Sequence, residues 1–302
     1  MNRRQFLKTT AATTALGATV PTALFSAENP PTTPDVLIGS QLYGWGQYYQ
    51  RAGKDASEHY DEIFSALRDA GYDYAEGNLD SGAPENNSVF AEKLKAKGLR
   101  PVSLYTGGAL HNDRAEITVE KIVLAGKACK EAGFQVINCN PEPIGHEKTD
   151  AELATQVKAL KQLGGELNKI GIKLGIHHHT PAMASGAREF HHNFDQTEAG
   201  TVGFCYDVHW VFRGGVQPAD ALKQYGDRVV SWHLRQSREG IWWEDLATGD
   251  IDYPKVAEYA RKNGLPPLYT VELAIEQGTK ITRGVVDNHA RSLTFVREVF
   301  VA

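Results

Sequence analysis

The sequence predicts an α/β fold, a (β/α)8 TIM barrel, in which eight parallel strands close on themselves inside a ring of helices. Three observations carry that prediction. Strand-like apolar runs alternate with amphipathic helical patterns eight times between Val36 and Phe300. Five times a helical pattern runs into Gly and then directly into a strand or loop: Ala70-Gly71-Tyr72, Lys97-Gly98-Leu99, Ala132-Gly133-Phe134, Ile170-Gly171-Ile172 and Asn263-Gly264-Leu265. That is the mark of a helix closed by a left-handed residue. In the second half, four apolar runs end on His, Asp or Glu, at His177, Asp207, His233 and Glu272. Their spacings of 30, 26 and 39 positions are each about one strand-plus-helix unit. A doubly wound open sheet is the alternative, but no Gly-x-Gly-x-x-Gly follows the first strand.

In chain order, the first strand is predicted over Val36–Tyr43 and the first helix over Ala56–Ala70, where Tyr60, Ile63, Phe64 and Leu67 fall on one face. Strand two is Tyr72–Asn78, then a helix over Asn87–Lys97, strand three over Pro101–Tyr105, a helix over Ile117–Ala132 and strand four over Gln135–Cys139. A long helix over Asp150–Ile170 precedes strand five, Lys173–His177. Strands six to eight are Val202–Asp207, Val229–His233 and Leu268–Glu272. The helices between and after them are expected over Ala187–Glu198, Ala219–Tyr225, Tyr253–Lys262 and Arg283–Phe300. The segment Gln236–Asp252 is long for a strand-to-helix loop and is expected to act as a lid.

Residues 1–33 read as an export signal and linker. Arg3-Arg4-Gln5-Phe6-Leu7-Lys8 is a twin-arginine pattern, followed by an Ala/Thr-rich stretch without an acidic residue up to Ala27. That stretch is too polar for a stable membrane span, so a periplasmic protein is expected. Residues 34–302 are enough for a single barrel catalytic domain, which typically takes about 250 residues. The net charge of −5 and the lack of a Lys/Arg run beyond the signal argue against a nucleic-acid partner. Cys129, Cys139 and Cys205 are widely spaced in apolar contexts and read as core thiols rather than disulfides.

The rim where strands end is where barrels place their chemistry. One buried His or Asp in a strand is usually a satisfied structural group, but four such ends at barrel spacing point to a shared polar site. The metal candidates are His177, Asp207, His233 and Glu272. Two imidazoles with two carboxylates suit one divalent ion of the Mn, Zn, Co or Fe kind better than Mg or Ca. Residues two apart share a strand face, so His179, His209 and Arg235 should project to the same side as these ligands, with His179 a substrate-binding candidate. Tyr43, Trp45, Trp210, Trp242 and Trp243 fall at strand ends, where a flat apolar face can pack on a ligand; Trp45 and Trp242 are taken as substrate-binding candidates, although each aromatic alone is more often core.

Asp207-Val208-His209, His233-Leu234-Arg235, Glu272 and the Gly-Asp-Ile-Asp-Tyr turn at 249–253 resemble the xylose-isomerase-like barrel family of sugar isomerases and epimerases. The likeness spans residues 36–300. It implies metal-ligand roles for Asp207, His233 and Glu272 and substrate-binding roles for His209 and Arg235. Many members carry Glu at the end of strand five, where this chain has His177 within Gly-Ile-His-His-His. That departure resembles an inosose-dehydratase-like branch and leaves a two-glutamate epimerisation without its second carboxylate. Glu272, Glu142 and His209 are the catalytic candidates; Glu142, just past strand four, either supplies the missing carboxylate or is a solvated loop residue, and Glu76 at the end of strand two is a weaker candidate of the same sort. The expected partner is a small sugar or keto-sugar, turned over by isomerisation or epimerisation or, alternatively, by a lyase or hydratase reaction on 3-keto sugars. A non-catalytic sugar-binding protein is the other class. A nuclease of the abasic-site type shares the barrel but needs a basic groove. A homo-oligomer is left open.

Overall fold

The computed structural model describes residues 35–302; the signal and linker expected over 1–33 lie outside the described residues. Eight parallel strands close in the order 1-8-7-6-5-4-3-2. They are Leu37–Gln41, Tyr74–Asn78, Ser103–Gly108, Val136–Pro141, Lys173–Ile176, Gly203–Asp207, Val229–Leu234 and Leu268–Val271. The five glycines read as helix stops all have positive φ, from 61° at Gly264 to 110° at Gly133.

Helices α2 (Tyr60–Ala70), α3 (Glu85–Ala96), α4 (Ala115–Ala132), α5 (Asp150–Lys169), α8 (Pro218–Tyr225) and α9 (Tyr253–Lys262) lie within a few residues of expectation. The start of α5 is set by a capping box: Thr149 and Glu152 satisfy each other's backbone N–H groups. α6 (Ala184–Asp195) begins earlier than expected, through three left-handed residues, Ser185 to Ala187. α10 (Val285–Val296) passes into a wider turn over Arg297–Val301.

Two helices were not expected. The first strand stops at Gln41, whose side chain accepts from Tyr43 N and starts α1 (Leu42–Arg51). Strand six stops at Asp207, whose Oδ1 accepts from Trp210 N at 2.8 Å and starts α7 (Val208–Arg213). In both cases a polar side chain takes up an N–H that would otherwise be orphaned, and the strand alternation ends there.

Inside the barrel, alternation stacks the inward residues in layers. Tyr74 closes the bottom with Leu37 and Val102, and its hydroxyl lies 2.7 Å from Thr270 Oγ1. A Cβ on Gly39 would overlap the Tyr74 ring, so only glycine leaves room for this plug. Glu76, Ser103, Asn138 and Ser231 form the middle layer, joined by Asn138 Nδ2 to Glu76 Oε2 at 2.8 Å and Ser231 Oγ to Asn138 Oδ1 at 2.8 Å. Asn78, Tyr105, His177, Asp207, His233 and Glu272 come next, at the carboxyl-terminal rim.

Candidate active site

Each strand of the second half delivers one group to a common point. His177, Asp207, His233 and Glu272 are all buried, and each offers one donor atom such that the four lie within 4.8 Å of one another. His177 Nε2 is 3.3 Å from Asp207 Oδ2. His233 is gripped on both sides, with Nδ1 2.9 Å from Glu272 Oε2 and Nε2 2.8 Å from Glu76 Oε1. Arg235 places one guanidinium nitrogen 2.9 Å from Asp207 Oδ2 and 3.4 Å from Glu272 Oε1.

The electrostatics follow from this packing. Burial alone would raise the carboxyl of Glu272, but Arg235 and His233 outweigh it and hold the group at about 2. Burial likewise opposes the charge on Asp207, and Arg235 with His177 overcomes it and holds that carboxyl down. Burial opposes charge on His233, yet Cys205 and the Glu76 and Glu272 carboxylates hold the imidazole well above its ordinary value. His179, on the cavity wall, is pushed down to about 3 by burial and by its neighbour His177, so it is neutral. Tyr105 is pushed far up by burial and by Glu272, so its hydroxyl stays a proton donor.

The donor set fits a divalent metal. Glu76, Asp207 and Glu272 bring three negative charges against the single fixed cation of Arg235. A divalent ion would balance that excess with both imidazoles neutral. Buried His177 Nδ1 has no hydrogen-bond partner, and Glu76 Oε1 and His233 Nε2, though 2.8 Å apart, form no hydrogen bond either, so buried ligand-type atoms stand free around the cluster.

Above the cluster lies a cavity of about 490 Å3, lined by Gln41, Asn78, Tyr105, His179, Trp210, Arg235 and Trp242 together with His177, His233 and Glu272. Arg235 lies under the Trp242 ring, 4.2 Å from its centroid, and Trp210 stands edge-on to Trp242 at 5.4 Å.

Three residues expected at the site lie elsewhere. Glu142 is half-exposed, 3.7 Å from Arg114, in a separate depression between strands three and four. The strand ends at Pro141, so the next side chain turns outward. Trp45 is core: Nε1 donates to Ser40 Oγ at 3.1 Å and the ring stacks on His289 at 4.4 Å. α1 carries it away from the rim. His209 is buried behind the wall, edge-on to Trp242 at 6.0 Å, because α7 replaces the strand geometry that would have paired it with Asp207. The lid expected at Gln236–Asp252 is instead tied down. Gln236 bonds Ile251 N and O and Ala247 O, while Glu244 accepts from Thr282 N and Asn288 Nδ2. Tyr105 and Asn78, not expected at the site, also stand in the cavity wall, and Glu76 lies closer to the cluster than expected, 2.8 Å from His233. Alternation along strands two and three was the signal for all three.

The chain is thus a parallel eight-stranded barrel that gathers two histidines and two carboxylates in one cluster under a part-aromatic cavity. Residues 64–298 match the model of the xylose isomerase-like TIM barrel family, and the chain belongs to that family. Residues 1–20 match a twin-arginine translocation signal, so the chain carries an export signal. Among the described residues no helix is long and apolar enough to cross a membrane. An inosose dehydratase from Geobacillus kaustophilus is 26% identical over 226 residues, covering 69% of each chain. A sugar phosphate isomerase/epimerase from Parabacteroides distasonis superposes with a TM-score of 0.72 at 18% identity, covering 90% of this chain and 98% of that one. A 3-keto-D-glucoside 4-epimerase from E. coli gives 0.63 at 16% identity, over 87% and 100%. These relatives are sugar-modifying enzymes.

Proposed function

We propose that this chain is an exported, divalent-metal-dependent isomerase or epimerase that removes a proton next to the carbonyl of a sugar or keto-sugar. The observation that carries this reading is the convergence of His177, Asp207, His233 and Glu272 within 4.8 Å at the floor of the cavity. When bound there, the ion supplies Lewis-acid polarisation of the carbonyl, which acidifies the neighbouring C–H. Glu272 is held ionised by Arg235 and His233 and faces the cavity, so it is the group that takes the proton. Arg235 and the Tyr105 hydroxyl orient substrate oxygens, and neutral His179 can pass a proton at a hydroxyl. Trp210 and Trp242 give the cavity an aromatic wall beside Arg235, which holds water back from the reacting carbon.

A second reading, elimination or hydration on a keto-sugar, has a specific observation in its favour. Glu272 is the one carboxylate among the residues lining the cavity, since strand five brings His177. Deprotonation and reprotonation from two faces by two carboxylates has no second partner, whereas one base acting on one face serves an isomerisation or an elimination.

The test is turnover of 3-ketoglucose in deuterated water, followed by mass spectrometry and by ultraviolet absorbance for an enone. Deuterium at the carbon next to the carbonyl supports proton abstraction, and enone formation assigns the elimination. Glu272→Gln should lower the rate by about 10²–10⁴-fold. No deuterium in product or recovered substrate would sink the reading.

A further inference from the structure

The cavity over the four-residue cluster does not end at its own wall. Gln41, Tyr43 and Asn78 also line a second, adjoining depression of about 520 Å3, formed by α1, the turn at Lys54–Ser57 and the start of α2. Each is within the range of roughly 300–1,000 Å3 that encloses a small ligand. Tyr43 stands at the junction, 56% exposed, an aromatic ring offered to solvent rather than to the core. The side chains along the groove fall into two sets. Gln47 is committed to Ile275 through both its amide atoms at 2.8 Å, and Asp55 to Ser57. Gln50, Lys54 and Asn78 line the groove with side chains that form no hydrogen bond or ion pair among the described residues.

We infer that the substrate is a two-part molecule, a glycoside whose reacting sugar sits over the cluster and whose second sugar unit lies in the groove across Tyr43. The inference rests on the reading of the cluster cavity as a sugar site. A flat ring between two cavities matches the C–H face of a second pyranose. Uncommitted amide and ammonium donors beyond it match that unit's hydroxyls, without the dense fixed charge that a phosphate would need. A free monosaccharide would leave the second depression to water.

The experiment is calorimetric binding to the metal-loaded, full-length mature protein. The probes are 3-ketoglucose and the 3-keto forms of α-1,1-, α-1,4- and β-1,4-linked glucosyl disaccharides. At least one disaccharide should bind about tenfold or more tightly than 3-ketoglucose, and Gln50→Ala with Lys54→Ala should bring that ratio back towards one. Equal affinity for mono- and disaccharides, or a ratio unmoved by the double substitution, overturns the two-part substrate while leaving the cluster site standing. Binding of none of the four probes removes the sugar reading itself, and this inference with it.

Discussion

Strands five to eight and strands one to four meet at one rim with opposite chemistry. The second half supplies His177, Asp207, His233, Arg235 and Glu272, all buried and all in contact with another charged or ionisable partner. The first half lines the cavity with Gln41, Asn78 and Tyr105, neutral groups that are more exposed on average, and turns Glu142, just past strand four, outward to Arg114. The exception is Glu76, which reaches from strand two beneath the cluster to His233. So one side of the barrel concentrates charge in a buried floor, and the other presents hydrogen-bonding shape to whatever lies above it. Buried paired charge is sensitive to single deletions, because each removed partner leaves another buried and uncompensated. A more exposed neutral wall loses only the group removed.

The sharpest way to break this division is His233→Ala. It removes one of four donors and should abolish stoichiometric metal in elemental analysis while circular dichroism stays that of the folded barrel. Full metal content in that variant would remove His233 from the ligand set. Glu76→Gln should act next, weakening metal by about 10–100-fold through loss of the outer carboxylate on His233. Titration with Zn²⁺ against a competing chelator measures it, and unchanged affinity would make Glu76 a mere filler of the middle layer. On the first-half wall, Asn78→Ala should raise KM by about 2–12-fold, the equivalent of one hydrogen bond worth about 0.5–1.5 kcal/mol, with metal content unchanged. A collapse of kcat there would erase the distinction between the halves. Glu142→Gln should change rate and metal content by less than about twofold, since its carboxylate belongs to a different depression. A hundredfold loss would restore it as the missing base.

The tied-down segment after strand seven extends the same contrast. Arg213 reaches Glu276 at 2.9 Å, Glu276 accepts from Trp242 N at 2.8 Å, and the Arg213 guanidinium lies 5.0 Å from the Trp242 ring centroid. Trp242 also covers Arg235, whose guanidinium lies 4.2 Å from the ring centroid. The second-half wall is therefore braced from outside by the Arg213–Glu276 ion pair, while Tyr43 on the first half stands exposed between the two depressions.

Periodicity and local stop signals were legible in the sequence because they depend on neighbours a few positions away. Alternating apolar runs specified eight strands. Glycine after each of five helices specified the turns, since only a residue without Cβ adopts positive φ readily. The family likeness rested on short motifs at strand ends, His233-Leu234-Arg235 above all. What the tertiary structure decided were the places where a side chain took the backbone out of its period. Gln41 and Asp207 each capped a helix at a strand end, which moved Trp45 into the core and His209 behind the wall. Strand four ended at Pro141 and turned Glu142 away, while closure of the barrel brought Glu76 under a histidine far along the chain. The two caps are local, but the ion pairs of the cluster join residues distant in sequence, and no local pattern encodes which ionised group will meet which.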